Sequence, residues 1–466
     1  MEHKKTFEFI EKEVDSHVIP TLMEYIKVDN LSVNFDPEWA TNGKHEKAAE
    51  ILLKWALSQN VKGLKGEVLK IEGISPLVHL EIEANGGQEN ILMYGHFDKQ
   101  PHFQGWLEGT GPCNPKIIGD LLYGRGGADD GYAIFASLLS IKALQQFGLK
   151  HGKVNIIIEG SEESGSPHLF QYVDLLKDKI GSPDMLVCMD SGCKDYERLW
   201  ITTSLRGMVM KDVTIQCLDD CCHSGLGGGQ GPDSFNVLRT LLDRIDDSKT
   251  GTVIDDFQVK IPDSKYVEAE NVAKILGNGF CLVKLHEGVS YTTNDLPELY
   301  LRGTWKANLT VVGQTGLPNH SKAGNLLRDK TSVRLSMRLP PTKNPKDAGK
   351  RLTEILLKDP PYNSKITVED KSEGQGLYVE NLSDKLKKSL ENSSIQLWGK
   401  NSQEFGEGGS IPFLNGFAQK FPNAQLLVLG VLGPGSNAHA ANETLHIPYM
   451  KKVITVLTHA VYEFNN

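Results

Sequence analysis

The sequence predicts an α/β protein interrupted by an inserted α+β domain. Short, unbroken apolar runs at 91–94, 154–158 and 185–189 are typical of strands covered on both faces, in a sheet with parallel character flanked by helices. Segments 45–59 and 133–147 carry apolar residues at helical spacing. From residue 208 onward the strand patterns become more alternating, which indicates a second kind of domain.

The elements of the inserted part follow in order along the chain. Alternating patterns predict strands at 208–218, 308–312 and 333–339, with helices at 234–246 and 348–357. Segment 253–306 mixes glycine, asparagine and aromatic residues and predicts no firm structure. A helix at 382–398 and a buried strand at 425–432 then indicate that the chain returns to the first domain.

The length of the chain sets the number of domains. A chain of 466 residues exceeds what one hydrophobic core usually serves, so two or more domains are expected. We expect one domain built from residues 1–204 and 376–466. Residues 205–375 are then an insertion that serves as a lid or as a dimerisation domain.

Composition and charge exclude several classes of function. The net charge of −9 combines 50 basic with 59 acidic residues and contains no long basic run, so nucleic acid and an anionic membrane are not expected as partners. No apolar stretch has the length of a signal peptide or a membrane span, and we expect a cytoplasmic protein. Small or peptide substrates fit this composition better.

Seven cysteines without a Cys-x-x-Cys pair predict reduced thiols and no disulfide framework. Cys217, Cys221, Cys222 and His223 form a cluster that invites comparison with a structural zinc site. Their spacing matches no common zinc-finger pattern, and we expect free thiols beside a functional histidine. The cluster also lacks the paired-thiol motif of a redox protein.

Imidazole and carboxylate side chains follow the predicted buried strands. His96, the pair Glu162-Glu163, Asp190 and His439 each come after an apolar run, and Asp129-Asp130 follows a glycine-rich turn. Because the carboxyl ends of neighbouring strands in an α/β sheet converge on one crevice, these donors are expected to meet. A pair of bridged divalent metals needs such a donor set. The leading hypothesis is a metal-dependent hydrolase.

Four segments resemble those of the M20 family of metallopeptidases, most of all its carnosinase-like dipeptidase branch. They are Gly95–Asp98, Gly124–Asp130, Glu159–Ser166 and Glu407–Pro412, and the resemblance extends over nearly the whole chain. It implies a dinuclear-metal phosphorylase/hydrolase-like catalytic domain of the zinc exopeptidase type. It also implies that the insertion is a lid through which two copies form a homodimer.

The resemblance implies a ligand set of five side chains. His96 and Asp190 would hold one metal, Glu163 and His439 the other, and Asp129 would bridge them. Imidazole nitrogens and carboxylate oxygens suit zinc, and manganese or cobalt would accept the same set.

The resemblance also assigns roles to two further carboxylates. Asp98 would accept a hydrogen bond from the second ring nitrogen of His96 and fix its tautomer. Glu162 would be the general base that takes a proton from a water shared by two metals about 3.5–4 Å apart. Adjacent side chains diverge, so Glu162 and Glu163 are expected to divide the labour, and only the resemblance decides which is the ligand.

Substrate contacts are also implied by the resemblance. His223, in a His-Ser-Gly segment, would reach the active site of the partner subunit and stabilise an oxyanion. Arg338 would grip a substrate carboxylate through two parallel hydrogen bonds, although a surface arginine on a strand is an equally good interpretation. Glu407 and Ser410 would line the substrate end of the pocket.

The sequence departs from the carnosinase-like pattern at two places. Gly406 stands where an arginine is usual, and Gly131-Tyr132 replaces the usual Lys-Gly. The loss of a cation near the pocket leaves a second activity open, that of an N-acyl amino-acid deacylase such as a succinyl-diaminopimelate desuccinylase-like enzyme. A non-catalytic binding module on the same fold is the alternative of a different class. It would be expected to have lost ligands, and here all are present.

Overall fold

A computed structural model describes residues 1–380 and 382–465. It contains twenty strands, numbered in chain order: β1 Leu64–Leu69, β2 Leu77–Ile82, β3 Gly86–His96, β4 Lys116–Ile118, β5 Leu121–Tyr123, β6 His151–Glu159, β7 Met185–Cys188, β8 Trp200–Leu205, β9 Gly207–Gln216, β10 Cys222–His223, β11 Asp246–Asp247, β12 Thr252–Val253, β13 Asn308–Thr315, β14 Leu326–Leu327, β15 Lys330–Leu339, β16 Lys365–Gly374, β17 Leu377–Tyr378, β18 Gln403–Glu407, β19 Gln425–Val428 and β20 Thr444–His446.

The fourteen α-helices of the described residues are numbered in the same way: α1 His3–Glu13, α2 Ile19–Ile26, α3 Lys44–Leu57, α4 Ala133–Gln146, α5 Leu169–Leu175, α6 Lys177–Ile180, α7 Ser224–Gly227, α8 Ser234–Leu242, α9 Asp263–Leu276, α10 Leu296–Thr304, α11 Pro345–Leu357, α12 Asp384–Trp398, α13 Pro412–Lys420 and α14 Ile447–Phe464. No helix of the described residues is both long and apolar enough to traverse a lipid bilayer.

The chain divides into two compact units. The first contains residues 1–202, 379–404 and the chain from Gly416 onward, and the second contains residues 203–378 and 405–415.

The first unit is built on a six-stranded sheet in the order β1-β2-β6-β3-β7-β19. The four strands β6, β3, β7 and β19 are parallel to one another, whereas β2 pairs antiparallel with β6 and β1 pairs antiparallel with β2. Strand β7 is buried along its whole length, as expected for a strand covered on both faces. Because β3, β6, β7 and β19 run the same way, their carboxyl ends lie at one edge of the sheet.

The second unit is an antiparallel sheet in the order β13-β15-β9-β16, with α8 and α11 packed against it. Buried and partly buried residues alternate along β9, as expected for a sheet with one covered face. The helices and the covered face share one apolar core that includes Val213, Leu241, Leu335 and Leu352. This α+β unit and the α/β unit confirm the predicted fold class.

Most predicted elements occur, and the differences are local. The predicted strand 425–432 ends at Val428, and the predicted helix 234–246 ends at Leu242. Segment 253–306, for which the sequence predicts no firm structure, contains the helices α9 and α10. The six-stranded sheet is mixed, because β1 and β2 add an antiparallel edge to the parallel strands.

One buried lysine ties helix α2 to the strand that carries His96. The ammonium group of Lys99 donates to the carbonyl oxygens of Tyr25 (3.1 Å), Ile26 (3.2 Å) and Val28 (2.6 Å), and it lies 4.2 Å from the centre of the Tyr25 ring. A cation beside the last carbonyls of a helix is also favoured by the helix dipole. Lys99 is fully buried, so these carbonyls have no solvent to replace it.

We expect Lys99→Met to lower the free energy of unfolding by about 3 kcal/mol, because a methionine leaves buried carbonyls without a donor. Thermal and urea unfolding, followed by circular dichroism, measure this loss. The control is Lys4→Met at an exposed position of α1, for which a change within about 0.5 kcal/mol is expected. Equal stabilities of the two variants would contradict a structural role of the Lys99 ammonium group.

Candidate active site

Five of the predicted site residues lie at the carboxyl edge of the six-stranded sheet. His96 is the last residue of β3, Glu162 and Glu163 lie in the single helical turn after β6, and Asp190 follows β7. Asp129 lies in the turn Gly127–Gly131 that precedes α4. The sheet topology therefore brings together side chains that are far apart in sequence.

His439 joins this group from the loop between β19 and β20. Its backbone has a φ of 59°, a left-handed conformation that a non-glycine residue adopts at a cost. This conformation accompanies the contact of its Nε2 atom with Asp129 Oδ2 (3.0 Å) and Glu163 Oε2 (3.2 Å). The imidazole thereby meets the carboxylates although no strand leads directly to it.

The carboxylate of Asp129 lies between the two imidazoles. Its Oδ1 atom is 3.2 Å from His96 Nε2, and its Oδ2 atom is 3.0 Å from His439 Nε2. Two groups of three donors result, and in each the ligand atoms lie within 4.8 Å of one another. They share one residue: the first is His96, Asp129 and Asp190, and the second is Asp129, Glu163 and His439.

Negative charge dominates this edge of the sheet. Two imidazoles face six carboxylates, which are those of Asp98, Asp129, Asp130, Glu162, Glu163 and Asp190. Burying carboxylates together is costly unless opposite charge compensates them. The oxygen and nitrogen donors, their spacing and this charge excess therefore fit two divalent cations.

The pKa values of the acids reflect the same charge excess. Burial and the charge of Asp190 raise the pKa of Glu162 well above its ordinary value. Burial and the charge of Asp129 raise the pKa of Glu163 to about 7. Burial raises the pKa of Asp190 to about 6, although the neighbouring His96 acts in the opposite direction. Protons therefore compete with cations for these oxygens.

The two imidazoles respond in the opposite way. Burial lowers the pKa of His96, but the charge of Asp190 and hydrogen bonds to Asp129 and Asp98 outweigh burial and place it well above its usual range. Burial also opposes the shift at His439, and hydrogen bonds to Asp129 and Glu163 raise its pKa to about 11. Without a cation, both rings therefore carry protons at neutral pH.

Asp98 connects the first imidazole with the turn after β6. Its Oδ1 atom lies 3.4 Å from His96 Nδ1, on the side of the ring that faces away from Asp129. The same carboxylate accepts the backbone N–H groups of Glu162 (3.0 Å to Oδ1) and Glu163 (3.1 Å to Oδ2). One buried acid therefore orients a ring and two acidic residues at once.

Two buried acids outside the predicted ligand set hold the backbone of the site. Glu443 Oε1 accepts the N–H groups of Ala128 (3.1 Å) and Asp129 (3.2 Å), while its Oε2 atom binds the guanidinium group of Arg125 at 2.8 Å. Asp130 Oδ2 accepts the N–H group of His96 at 3.2 Å. The sequence analysis did not name Glu443, and its nearness to His439 in sequence is the one signal that could have found it.

Gln100 is a further contact of the site that the sequence did not indicate. Its Nε2 atom donates to Glu163 Oε2 at 2.7 Å, the same oxygen that His439 contacts. This hydrogen bond fixes the orientation of the Glu163 carboxylate.

The departure from the carnosinase-like pattern at Gly131-Tyr132 has a steric reason. A Cβ atom at Gly131 would lie 2.4 Å from the carbonyl oxygen of Gly126 and 2.4 Å from the ring of Tyr25. The next residue, Tyr132, is buried and donates its hydroxyl hydrogen to the carbonyl of Met189, the residue before Asp190. Gly131-Tyr132 therefore supports the site by packing and supplies no cation.

The predicted substrate residues of the second unit fall into two places. Arg338 Nη1 donates to Ser410 Oγ (2.9 Å), and Glu407 lies at the end of β18, which precedes Ser410. His223 is exposed at the start of the short helix α7, where its Nδ1 atom accepts the N–H group of Gly225 at 3.1 Å. The structure therefore groups Arg338, Glu407 and Ser410, and the roles of all four residues stay predictions.

The cysteine-rich segment beside His223 forms no metal cluster in the described residues. The described residues contain no disulfide bond, and the thiol of Cys221 donates to Asp329 Oδ1 at 3.3 Å.

Comparison with known proteins gives the family of this chain. Residues 92–463 match the model of peptidase family M20/M25/M40. A cysteinylglycine-S-conjugate dipeptidase of Corynebacterium striatum is 24% identical over 378 residues, covering 78% of this chain and 78% of that protein. A human Beta-Ala-His dipeptidase is 24% identical over 458 residues, covering 95% of this chain and 89% of its own length.

A solved structure shows the same fold. The dipeptidase Dug1p of Saccharomyces cerevisiae superimposes with a TM-score of 0.72 at 19% sequence identity, covering 100% of both chains. The family model spans most of the sequence and includes the carboxyl edge of the sheet with its imidazoles and carboxylates. The chain therefore belongs to peptidase family M20/M25/M40.

Proposed function

We propose that this protein is a dinuclear metal-dependent dipeptidase. The observation that carries the proposal is the placement of Asp129, whose two carboxylate oxygens face His96 and His439 and so belong to both groups of donors. Dipeptidases among the similar proteins support the choice of a short peptide as the substrate.

The donor set supports an assignment of the ligands. We propose that His96 and Asp190 hold one ion, that Glu163 and His439 hold the other, and that Asp129 bridges them. Two divalent ions held by these residues would supply Lewis-acid polarisation of the scissile carbonyl and a water of lowered pKa. Zinc suits imidazole nitrogen and carboxylate oxygen, and manganese and cobalt are the alternatives that metal analysis would distinguish.

Glu162 is the proposed general base. Its Oε2 atom lies 3.9 Å from His96 Nε2, and the backbone N–H group beside it is held by Asp98. A carboxylate at this place can accept a proton from the attacking water and return it to the leaving amine. Asp98 is a positioning residue, because its contacts are to the His96 ring and to the backbone of Glu162 and Glu163.

The second unit supplies the proposed substrate contacts. Arg338 presents a guanidinium group that can bind a carboxylate through two hydrogen bonds, and Ser410 holds one of its nitrogens. Glu407 would lie beside this contact at the end of β18. We propose that His223 stabilises the oxyanion in the partner subunit of a homodimer, as the family resemblance implies.

Replacing Glu162 separates catalysis from metal binding. We expect Glu162→Gln to retain both ions and to lose at least about 1,000-fold in kcat, because general acid–base catalysis typically contributes 100- to 10,000-fold. Elemental analysis of the purified variant and hydrolysis of Ala-Ala measure the two quantities. Glu163→Gln is the matched control and is expected to lose metal. Loss of metal in Glu162→Gln would make Glu162 a ligand, and full activity would remove it as the base.

The binding of metal should release protons. In the ion-free protein the pKa of His439 is about 11, so the ring is protonated at pH 7, and the pKa of Glu163 is about 7. An ion must displace these protons, so metal affinity should fall as the pH falls from 8 to 6.

Calorimetric titration of zinc into chelator-treated protein tests this expectation. Buffers of different ionisation enthalpy should give different apparent enthalpies, equivalent to about one or more protons released per protein. An apparent enthalpy that is independent of the buffer would contradict the protonation of His439.

A hydrolysis screen with dipeptides and N-acyl amino acids, run with and without chelator, then separates dipeptidase from deacylase activity.

A mixture of two inactive variants tests the homodimer. If His223 acts across the subunit interface, His223→Ala subunits mixed with an equal amount of Glu162→Gln subunits should recover about a quarter of the wild-type activity, since half of the dimers then contain one complete site of two. Each variant alone serves as the control. Proven heterodimers without activity would contradict action across the interface.

A further inference from the structure

Two arginines of the second unit lie beside the segment that contains Glu407 and Ser410. The backbone carbonyl of Arg206 accepts the Ser410 hydroxyl at 2.5 Å, and its Nε atom donates to the carbonyl of Gly408 at 3.2 Å. Arg338 Nη1 donates to the same Ser410 hydroxyl oxygen at 2.9 Å. Both arginines therefore contact one short segment.

The sheet places the two guanidinium groups next to each other. Asn308 on β13 is the register partner of Arg338 on β15, so their side chains leave the same face of the sheet as neighbours. Arg206 Nη1 donates to Asn308 Oδ1 at 2.6 Å, which brings its guanidinium group beside the base of the Arg338 side chain. The positive charge of Arg338 is close enough to lower the pKa of Arg206, which burial and this charge together bring to about 10.

No acid of the described residues neutralises this pair. The hydrogen bonds of Arg206 go to Asn308 and to the carbonyls of Gly408 and Arg302, and that of Arg338 goes to Ser410, so neither forms an ion pair. Both side chains are partly buried. Two adjacent cations that are half-buried without an anion raise the free energy of the folded protein. A bound anion would relieve this cost, so the pair favours an anionic ligand.

Position 406 lacks the arginine that is usual there, and this pair of arginines supplies positive charge nearby instead. A Cβ atom at Gly406 would lie 2.7 Å from Ser204 Oγ and 3.1 Å from Thr304 Cβ, so a side chain there would require these neighbours to shift. Arg206 instead places a guanidinium group 3.1 Å from the Cβ position of Gly408, two residues further on. A second cation is therefore present beside Glu407–Ser410 although position 406 provides none.

We propose that Arg206 and Arg338 together form a binding site for two negative charges, which selects dipeptides whose C-terminal residue is aspartate or glutamate. The α-carboxylate of such a residue would neutralise one guanidinium group, and its side-chain carboxylate would neutralise the other. This inference rests on the proposed dipeptidase function, and it adds a substrate class to it. Nη2 of Arg206 donates to no acceptor in the described chain and is the atom available to the second carboxylate.

A pair of isosteric substrates tests the proposal with the metal-loaded enzyme. For the wild type, kcat/KM for Ala-Glu should exceed that for Ala-Gln by about tenfold or more, as a charge-assisted contact provides. Arg206→Met should reduce the ratio to within about twofold, whereas Arg206→Lys, which keeps the charge, should retain part of it. Arg334→Met is the control, because it removes a charge from the same strand that Asp212 already neutralises.

A binding measurement keeps this inference separate from the proposed activity. Calorimetry with the metal-loaded protein should show glutarate binding about tenfold more tightly than valerate, and Arg206→Met should abolish the difference. If Arg206→Met does not fold, Asn308→Ala, which removes the shorter of the two hydrogen bonds of Arg206 Nη1, should weaken the preference instead. A wild-type enzyme that hydrolyses dipeptides without preferring Ala-Glu would overturn the two-charge site. An enzyme that hydrolyses none would overturn the dipeptidase proposal, and the glutarate titration would still decide on the arginine pair.

Discussion

The concentration of carboxylates at one edge of the sheet is the constraint on which the site depends. Six acids and two imidazoles converge where β3, β6 and β7 end, and burial raises the pKa values of Glu162, Glu163 and Asp190. Such an arrangement is stable only with compensating positive charge, whether protons on the rings or bound cations. The choice between protons and cations links folding of this edge to metal content, and it makes metal binding sensitive to pH.

The acids at this edge have two different roles. Asp129, Glu163 and Asp190 present oxygens to the centre of the site, whereas Asp98 and Glu443 accept backbone N–H groups and hold the turns from which the other acids project. Turns of this kind leave N–H groups without partners in the main chain, and a buried carboxylate satisfies two of them at once. The precision of the ligand positions therefore comes from residues that need not touch a metal.

The chemistry of their side chains made the donors recognisable in the sequence. The residues that hold the backbone of the site were not recognisable in this way. A histidine or an acid directly after an apolar run is conspicuous, and this pattern pointed to His96 and Asp190. Glu443 reaches the N–H group of Asp129 across 314 residues, a contact that only the folded chain defines. Helix α9 escaped prediction because its buried face includes the ion pair of Lys265 and Glu268 (2.6 Å), which hides the apolar periodicity.

The contribution of the segment 439–443 has a consequence for how the protein matures. His439 supplies an imidazole and Glu443 holds the turn that presents Asp129, so the centre closes only when this segment meets the sheet edge that contains His96. A growing polypeptide leaves the ribosome from its amino terminus, so segment 439–443 emerges well after His96, Asp129 and Asp190. The centre of the nascent chain therefore stays incomplete until this segment has emerged.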